Sequence, residues 1–152
     1  PALPPRNRSR GSDMTILTLD EYFGPWKNHP DATPMRYKNA GLLVGAVVKL
    51  SALAIKDGIV FCDNPNTQSV VSGQQFGGFR PQCCSQGAPN SSHKDALAVD
   101  LFDPAGKIDA WCLANIDKLE ACKIYIEHPS ATKGWSHWTL RPPKSGRRVF
   151  YP

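Results

Sequence analysis

The stretch Ser91-Ser92-His93-Lys94-Asp95-Ala96-Leu97-Ala98-Val99-Asp100 places two potential metal ligands at either end of a segment that turns into an apolar strand. His93 and Asp100 are its candidate ligands, and a third, His137, follows later in the chain. Two imidazoles and one carboxylate can hold Zn²⁺ and leave a fourth position for water, which is typical of catalytic rather than structural zinc. The sequence therefore predicts a zinc site, although Mn²⁺, Fe²⁺ or Ni²⁺ could occupy the same donor set.

Each of these residues alone has an ordinary structural interpretation. A single histidine is more often a hydrogen-bonded surface or core residue, and Asp100 could cap a turn or form a salt bridge. However, Asp100 lies within an apolar segment, where an unpaired carboxylate is costly to bury. The three residues together favour a metal.

The hydrophobic pattern around this segment predicts an α+β domain, with helices covering one face of a small, mainly antiparallel sheet. Thr18 and Thr33-Pro34 are predicted to begin helices, because threonine is a common N-cap and proline suits the first helical position. The predicted order is a helix from Thr18 through Tyr22, a helix from Pro34 to about Lys56, an irregular strand at 68–79, a loop at 81–90, a strand at 97–102, a turn at 103–106, a helix at 108–122, and strands at 124–127, 134–140 and 149–151.

The long helix is expected to pack one face on the core. Its apolar residues recur at three-to-four spacing: Leu42, Leu43, Ala46, Val47, Leu50, Leu53 and Ala54. Since Lys49 interrupts the apolar stretch at 40–55, no run is expected to reach the length of a membrane span.

Length and composition predict one domain, residues 14–152. Residues 1–13 are rich in Pro, Arg, Ser and Gly, and we interpret Met14 as the native first residue. We therefore expect 1–13 to be a disordered or vector-derived extension, with a native arm as the alternative. No secretory signal follows, which predicts synthesis in the cytoplasm.

The net charge of +5 comes partly from basic clusters near both termini. Nucleic-acid binding is disfavoured because no stripe of aromatic residues accompanies these clusters. Attraction to an anionic cell-wall polymer would explain the basic charge equally well. Five cysteines cannot form a complete set of disulfides within one chain. Cys112 and Cys122 are predicted to be core thiols, which favours a reducing compartment.

The segment from Ser91 to Asp100 resembles the Ser-x-His-x-x-Gly-x-Ala-x-Asp signature of zinc D-alanyl-D-alanine peptidases, a family that includes the L-alanyl-D-glutamate peptidases of phage endolysins. Gly78-Phe79-Arg80-Pro81 resembles an upstream block of that family, and Trp135-Ser136-His137 resembles its Trp-x-His block. The segments 127–135 and 142–150 are similar to phage- and prophage-encoded members. The resemblance implies the fold that these peptidases share with Hedgehog signalling domains.

Carried onto this chain, the resemblance implies that His93, Asp100 and His137 bind zinc. It implies that Arg80 stabilises the oxyanion formed when water attacks a peptide carbonyl, a role that suits a permanently charged, forked donor. The structural alternative for Arg80 is a surface salt bridge.

The hydrolysis also requires a general base. The family often has an acidic residue three positions before the last histidine, where this chain has Gly134. Glu127 is the nearest acid upstream and could face the metal if 129–133 is a loop between two paired strands. Alternatively, Glu127 orients His128. A second departure is Ala96, where the family has glycine.

Other residues near the motifs have less specific roles. Ser91 and His128 are candidate substrate contacts. Trp135 and Trp138 flank His137 and are both expected to face away from it into the core.

These features predict a zinc-dependent peptidase that cleaves peptidoglycan stem peptides at a D-Ala-D-Ala or L-Ala-D-Glu bond, acting as a monomer on the bacterial wall in a phage or prophage lytic role. The first alternative is a weakly active or inactive zinc-containing module that binds the virion or the cell wall. The second is a zinc hydrolase of another amide or ester.

Overall fold

A computed structural model describes residues 6–8, 15–86, 88 and 90–152. Its helices and strands, in chain order, are α1 (Leu19–Phe23), α2 (Pro34–Lys56), β1 (Ala98–Asp103), α3 (Lys107–Ala114), α4 (Ile116–Ala121), β2 (Tyr125–Glu127), β3 (Gly134–Thr139) and β4 (Val149–Phe150). Short 3₁₀ turns lie at Gly24–Trp26, Ser92–Asp95 and Pro129–Ala131. The predicted α+β class is confirmed.

The first two helices begin where their capping residues predict. Thr18 and Glu21 form a reciprocal capping box on α1, in which each side chain accepts a hydrogen bond from the other residue's backbone N–H. Thr33 caps α2, whose first residue is Pro34, and the helix ends at Lys56 with Asp57 as its C-cap. Local hydrogen bonding thus fixes both starts.

Helix α2 packs only part of its predicted apolar face on the core. Leu43, Val47, Leu50 and Ala54 are fully buried, whereas Leu42 is 61% exposed, so its assignment to the core is wrong. The 23-residue helix is also long and apolar enough to cross a membrane, a property that core helices of soluble proteins share. The expectation that no stretch reaches this length therefore does not hold for α2.

The four strands form one sheet in the order β1-β3-β2-β4. Strand β3 pairs antiparallel with both β1 and β2, and β4 pairs parallel with β2. The sheet is therefore mainly antiparallel, as predicted, with one parallel pair at its edge.

Two adjacent rows of residues across this sheet face opposite sides. One row is Val99, Trp138, Ile126 and Val149, which are paired in register and are buried or partly buried. Because successive residues of a strand point to opposite faces, the next row is turned away from this core. That second row contains Asp100, His137, Glu127 and Phe150.

The segment predicted as an irregular strand at 68–79 is not a strand. It forms two isolated bridges, one between Ser69 and Asn64 and one between Val71 and Leu101 of β1. Gly73 has a positive φ of 75°, and the chain loops out before the carbonyl of Gly77 accepts from the N–H of Asp100. The segment therefore follows the edge of the sheet through separate hydrogen bonds.

The single helix predicted at 108–122 is divided into α3 and α4 by Asn115. The side-chain amide of Asn115 donates to the carbonyl of Trp111 at 2.8 Å, and its backbone leaves the helical region at φ −134°, ψ 47°. Its own carbonyl then accepts from Leu119 in the next helix. An asparagine side chain that bonds the local backbone competes with helix continuation.

Part of the predicted N-terminal extension contacts the domain. Arg8 forms ion pairs with Glu21 at 2.6 Å and with Asp63 at 2.5 Å, and Asn7 bridges to Cys62. Residues 7 and 8 therefore contact the domain, and the interpretation of 1–13 as an extension stays a prediction. Residues 1–5, 9–13 and Met14 lie outside the described residues. Cys112 and Cys122 are buried free thiols, as predicted.

Candidate metal centre

Three predicted ligands converge on one point. Nδ1 of His137 lies 2.8 Å from Oδ1 of Asp100, and Nε2 of His93 lies 3.4 Å from the same oxygen. The three donor atoms lie within 4.8 Å of one another. The structure therefore brings together a possible metal-binding triad, as the sequence predicts.

The tautomer of His93 is fixed by its surroundings. Nδ1 of His93 lies 2.8 Å from the carbonyl oxygen of Gly78, which can only accept a hydrogen bond. Nδ1 must therefore carry a proton, and Nε2 is the ring nitrogen that faces the cleft beside Asp100, where the lone pair of the neutral ring can bind a cation. Ser91 caps the 3₁₀ turn that carries His93, since its hydroxyl accepts from the His93 backbone N–H.

The Gly-Phe-Arg block has a separate structural task for each residue. A Cβ on Gly78 would lie 2.0 Å from the backbone oxygen of Tyr22, so this position requires glycine. Phe79 is buried in the core. Arg80 donates from Nε to the carbonyl of Phe76 at 2.5 Å and contacts Asp100 at 3.3 Å. The salt bridge expected as an alternative for Arg80 is thus made to a candidate ligand rather than at the surface.

Ala96 closes the 3₁₀ turn in a left-handed conformation, with φ 57° and ψ 36°. Glycine adopts this conformation without steric cost, whereas alanine does not. Ala96 therefore occupies a backbone conformation that favours glycine, at the end of the turn that carries His93.

The surroundings of the triad favour an ionised Asp100 and a neutral His93. Burial opposes ionisation of Asp100, but the neighbouring His93 and His137 outweigh it and hold the pKa of this carboxyl below its ordinary value. Burial lowers the pKa of His93, although Asp100 partly offsets it. A carboxylate and a neutral imidazole are the forms in which these side chains bind metals.

The donor set fits zinc. Ligands about 2.0–2.1 Å from a tetrahedral zinc ion lie about 3.3 Å apart, close to the 3.4 Å between His93 and Asp100. The shorter contact between Asp100 and His137 is a direct hydrogen bond that a cation would replace. Three protein ligands leave a fourth position for solvent.

Glu127 lies beside the triad because of strand register. Tyr125 pairs with Thr139 and Ile126 with Trp138, so the continuing register puts Glu127 opposite His137. Residues 129–133 do connect two paired strands, as the prediction required. Gly134, at the family's usual acidic position, has φ 99°, which disfavours any side chain there.

The carboxylate of Glu127 suits a base. Burial raises its pKa, with His137 acting in the opposite direction. Among the described residues it forms no hydrogen bond or ion pair, so the interpretation that it orients His128 is not supported. Its carboxylate is therefore free to exchange a proton in the cleft.

The triad, Arg80 and Glu127 line one open cleft of about 490 Å³, called here the metal cleft. Trp135 also lines it, so the prediction that Trp135 faces away from His137 is wrong. Trp135 and His137 are two residues apart in β3, and residues at this spacing point to the same face of a strand. The sequence therefore contained the signal that places Trp135 on the side of His137. Trp138, one residue away, is in the core as predicted. The remaining lining residues are Ala88, Asn90, Ser91, Ser92, Arg141, Phe150 and Pro152.

The two predicted substrate contacts are placed differently. Ser91 lines the metal cleft, whereas His128 does not; its ring stacks on Tyr151 with centroids 4.5 Å apart. Sequence motifs did not indicate Arg141, which pairs with Asp95 and donates to the carbonyl of Asn90 at 2.8 Å. Arg141 therefore braces the loop that leads into His93.

Comparisons of this chain with protein-family models, with curated proteins and with solved structures found no match. The resemblance to zinc peptidases therefore remains a prediction from sequence motifs, and the functional assignment depends on the geometry of the site.

Proposed function

We propose that this chain is a zinc-dependent peptidase that cleaves peptidoglycan stem peptides, as a cell-wall lytic enzyme of phage or prophage type. One observation carries the proposal: two histidines and a carboxylate share a cleft with Glu127, whose carboxylate has no partner among the described residues. The class of substrate comes from the sequence resemblance, whereas the hydrolytic chemistry comes from the site.

His93, Asp100 and His137 would hold the metal. When bound, zinc lowers the pKa of water and polarises the scissile carbonyl. Glu127 accepts the proton from the attacking water and passes it to the departing amine, which leaves as the peptide C–N bond breaks. The guanidinium of Arg80 offsets the negative charge that develops on the carbonyl oxygen.

The shape of the cleft supports cleavage within a peptide rather than at its end. The metal cleft shares Arg80, Asp100 and Trp135 with a cavity of about 260 Å³ on one side. It shares Phe150 and Pro152 with a cavity of about 690 Å³ on the other. An extended chain can therefore pass across the triad in both directions, which favours the L-Ala-D-Glu bond over a terminal D-Ala-D-Ala bond.

The test is digestion of purified muropeptides by the zinc-loaded full chain, with products identified by mass spectrometry. We expect new amino and carboxyl termini at one stem-peptide bond, and product formation at least about 100-fold slower with Glu127→Gln. Zinc binding without peptide release would instead favour the wall- or virion-binding module. Release from a different amide or ester alone would favour the other hydrolase.

A further inference from the structure

A basic cavity adjoins the metal cleft at the edge of the sheet. This cavity, about 690 Å³, is lined by the loop 143–147 and by the residues that follow it. Phe150 and Pro152 line both spaces, and the Phe150 ring lies 6.1 Å from that of His137. A substrate that leaves the triad over Phe150 therefore enters the basic cavity.

Lys144 and Arg147, both exposed, supply the charge of the basic cavity. Within the part of the chain that the structure describes, neither side chain has an acidic partner. The other arginines near the site are engaged: Arg80 contacts Asp100, and Arg141 pairs with Asp95. The two unpaired cations are therefore available to an anion outside the chain.

The loop that carries these cations is held in one shape by its own backbone. Gly146, at φ 70°, donates to the carbonyl of Pro143 at 3.0 Å, and Arg147 donates from its N–H to the hydroxyl of Ser145 at 3.3 Å. A preordered loop loses less conformational entropy when it binds a ligand. The turn thus holds the backbone of Lys144 and Arg147 beside the cleft.

We propose that the loop 143–147 recognises a carboxylate of the substrate peptide, with Lys144 and Arg147 as specificity-determining residues. This inference rests on the peptidase activity proposed above. Two strand spacings, roughly 10 Å, separate β3 from β4, which corresponds to about three residues of extended peptide. Since the loop 143–147 precedes β4, the recognised carboxylate should lie at least about three residues from the scissile bond.

The test compares two soluble stem peptides that differ only in this carboxylate, which is free in one and a primary amide in the other. With the zinc-loaded full chain at low salt, we expect kcat/KM to be about three- to fivefold higher for the acidic peptide, the size of an exposed ion pair. The preference should disappear in Lys144→Gln/Arg147→Gln and should weaken in high salt.

The matched control is Lys49→Gln/Lys56→Gln, which removes the same charge from exposed positions on α2, a helix that lines none of these cavities. It should keep the preference. Equal rates for both peptides, or an equal loss in both double variants, would overturn the inference. So would a requirement for Lys144 and Arg147 only on intact walls, which would assign the loop to an anionic wall polymer.

Failure of the peptidase proposal has a different signature. If neither peptide is cleaved, calorimetric binding of the same two peptides to the zinc-loaded protein still decides the matter. Tighter binding of the acidic peptide that depends on Lys144 and Arg147 supports recognition at the loop, and equal binding excludes it.

Discussion

Asp100 and His137 lie directly opposite each other on neighbouring antiparallel strands, and their side chains meet at 2.8 Å. Register alone fixes this contact, since both residues belong to the row that faces away from the core. Two of the three candidate ligands therefore lie on the most regular part of the sheet, where backbone hydrogen bonds on both strands hold them, whereas His93 lies on the 3₁₀ turn Ser92–Asp95. A site on paired strands is more precisely positioned than one on loops.

Metal removal should lower the stability of the folded protein. A ligand that binds the native state alone at a hundredfold excess over its Kd contributes about 2.7 kcal/mol. For a domain of this size, we expect a chelator to lower Tm by roughly 5–10 °C. His137→Ala should abolish this difference, whereas Glu127→Gln should keep it; differential scanning calorimetry with and without chelator measures both. A chelator-insensitive wild type would contradict the triad.

Glu127→Gln should lower kcat by about 10²–10⁴-fold while zinc content stays unchanged, because it removes the proton acceptor but none of the ligands. In the wild type, kcat/KM should rise with pH as Glu127 loses its proton. Stopped assays across the pH range, with metal analysis of each variant, check this; full activity in Glu127→Gln would require another base.

Arg80→Ala should lower kcat by about 10²–10³-fold, the usual effect of losing one oxyanion donor. Arg80→Lys keeps the charge but loses the forked geometry and the hydrogen bond to the carbonyl of Phe76. The activity of Arg80→Lys should therefore lie between that of the wild type and that of Arg80→Ala. Steady-state kinetics at matched zinc occupancy distinguish these outcomes. If Arg80→Ala changes only thermal stability, the contact with Asp100 is merely structural.

Gly78→Ala should destabilise the fold by about 1–3 kcal/mol, since its Cβ would overlap the backbone of Tyr22. It should also weaken zinc binding, because the carbonyl of Gly78 orients His93. Gly41→Ala on α2 is the control: nothing lies within 4 Å of its Cβ, and it should stabilise by about 0.5–1 kcal/mol. Urea unfolding measures both; equal effects would mean that Gly78 is not crowded.

Asp109 should make stability depend on pH. Burial raises its pKa above the ordinary value of 3.8, with hydrogen bonds from Ser136 and Thr132 acting against it. The folded protein thus holds this proton more tightly, and the associated stability is lost as pH rises through the raised pKa. The Asp109→Asn side chain cannot ionise. The free energy of unfolding of this variant, relative to that of the wild type, should therefore increase from pH 4 to pH 7. Exposed Asp117→Asn is the control, and a constant difference for Asp109→Asn would contradict the shift.

The sequence by itself determined the features that depend on neighbours along the chain. Thr18 and Thr33 satisfy free N–H groups within a few residues, so the starts of α1 and α2 follow from local chemistry. The alternation of residues in a strand likewise separates His137 from Trp138. The same rule, applied over two residues, would have placed Trp135 in the cleft.

Only the tertiary structure decided the features that depend on distant partners. Asn115 divides a helix whose apolar pattern is continuous, and the segment at 68–79 leaves the sheet at a positive-φ glycine. Glu127 reaches the site because β2 and β3 pair in one register among several that the sequence would allow. Register and side-chain convergence arise from packing between segments far apart in the chain, whereas capping and periodicity are local; this is why the ligands could be named from the sequence but their common cleft could not.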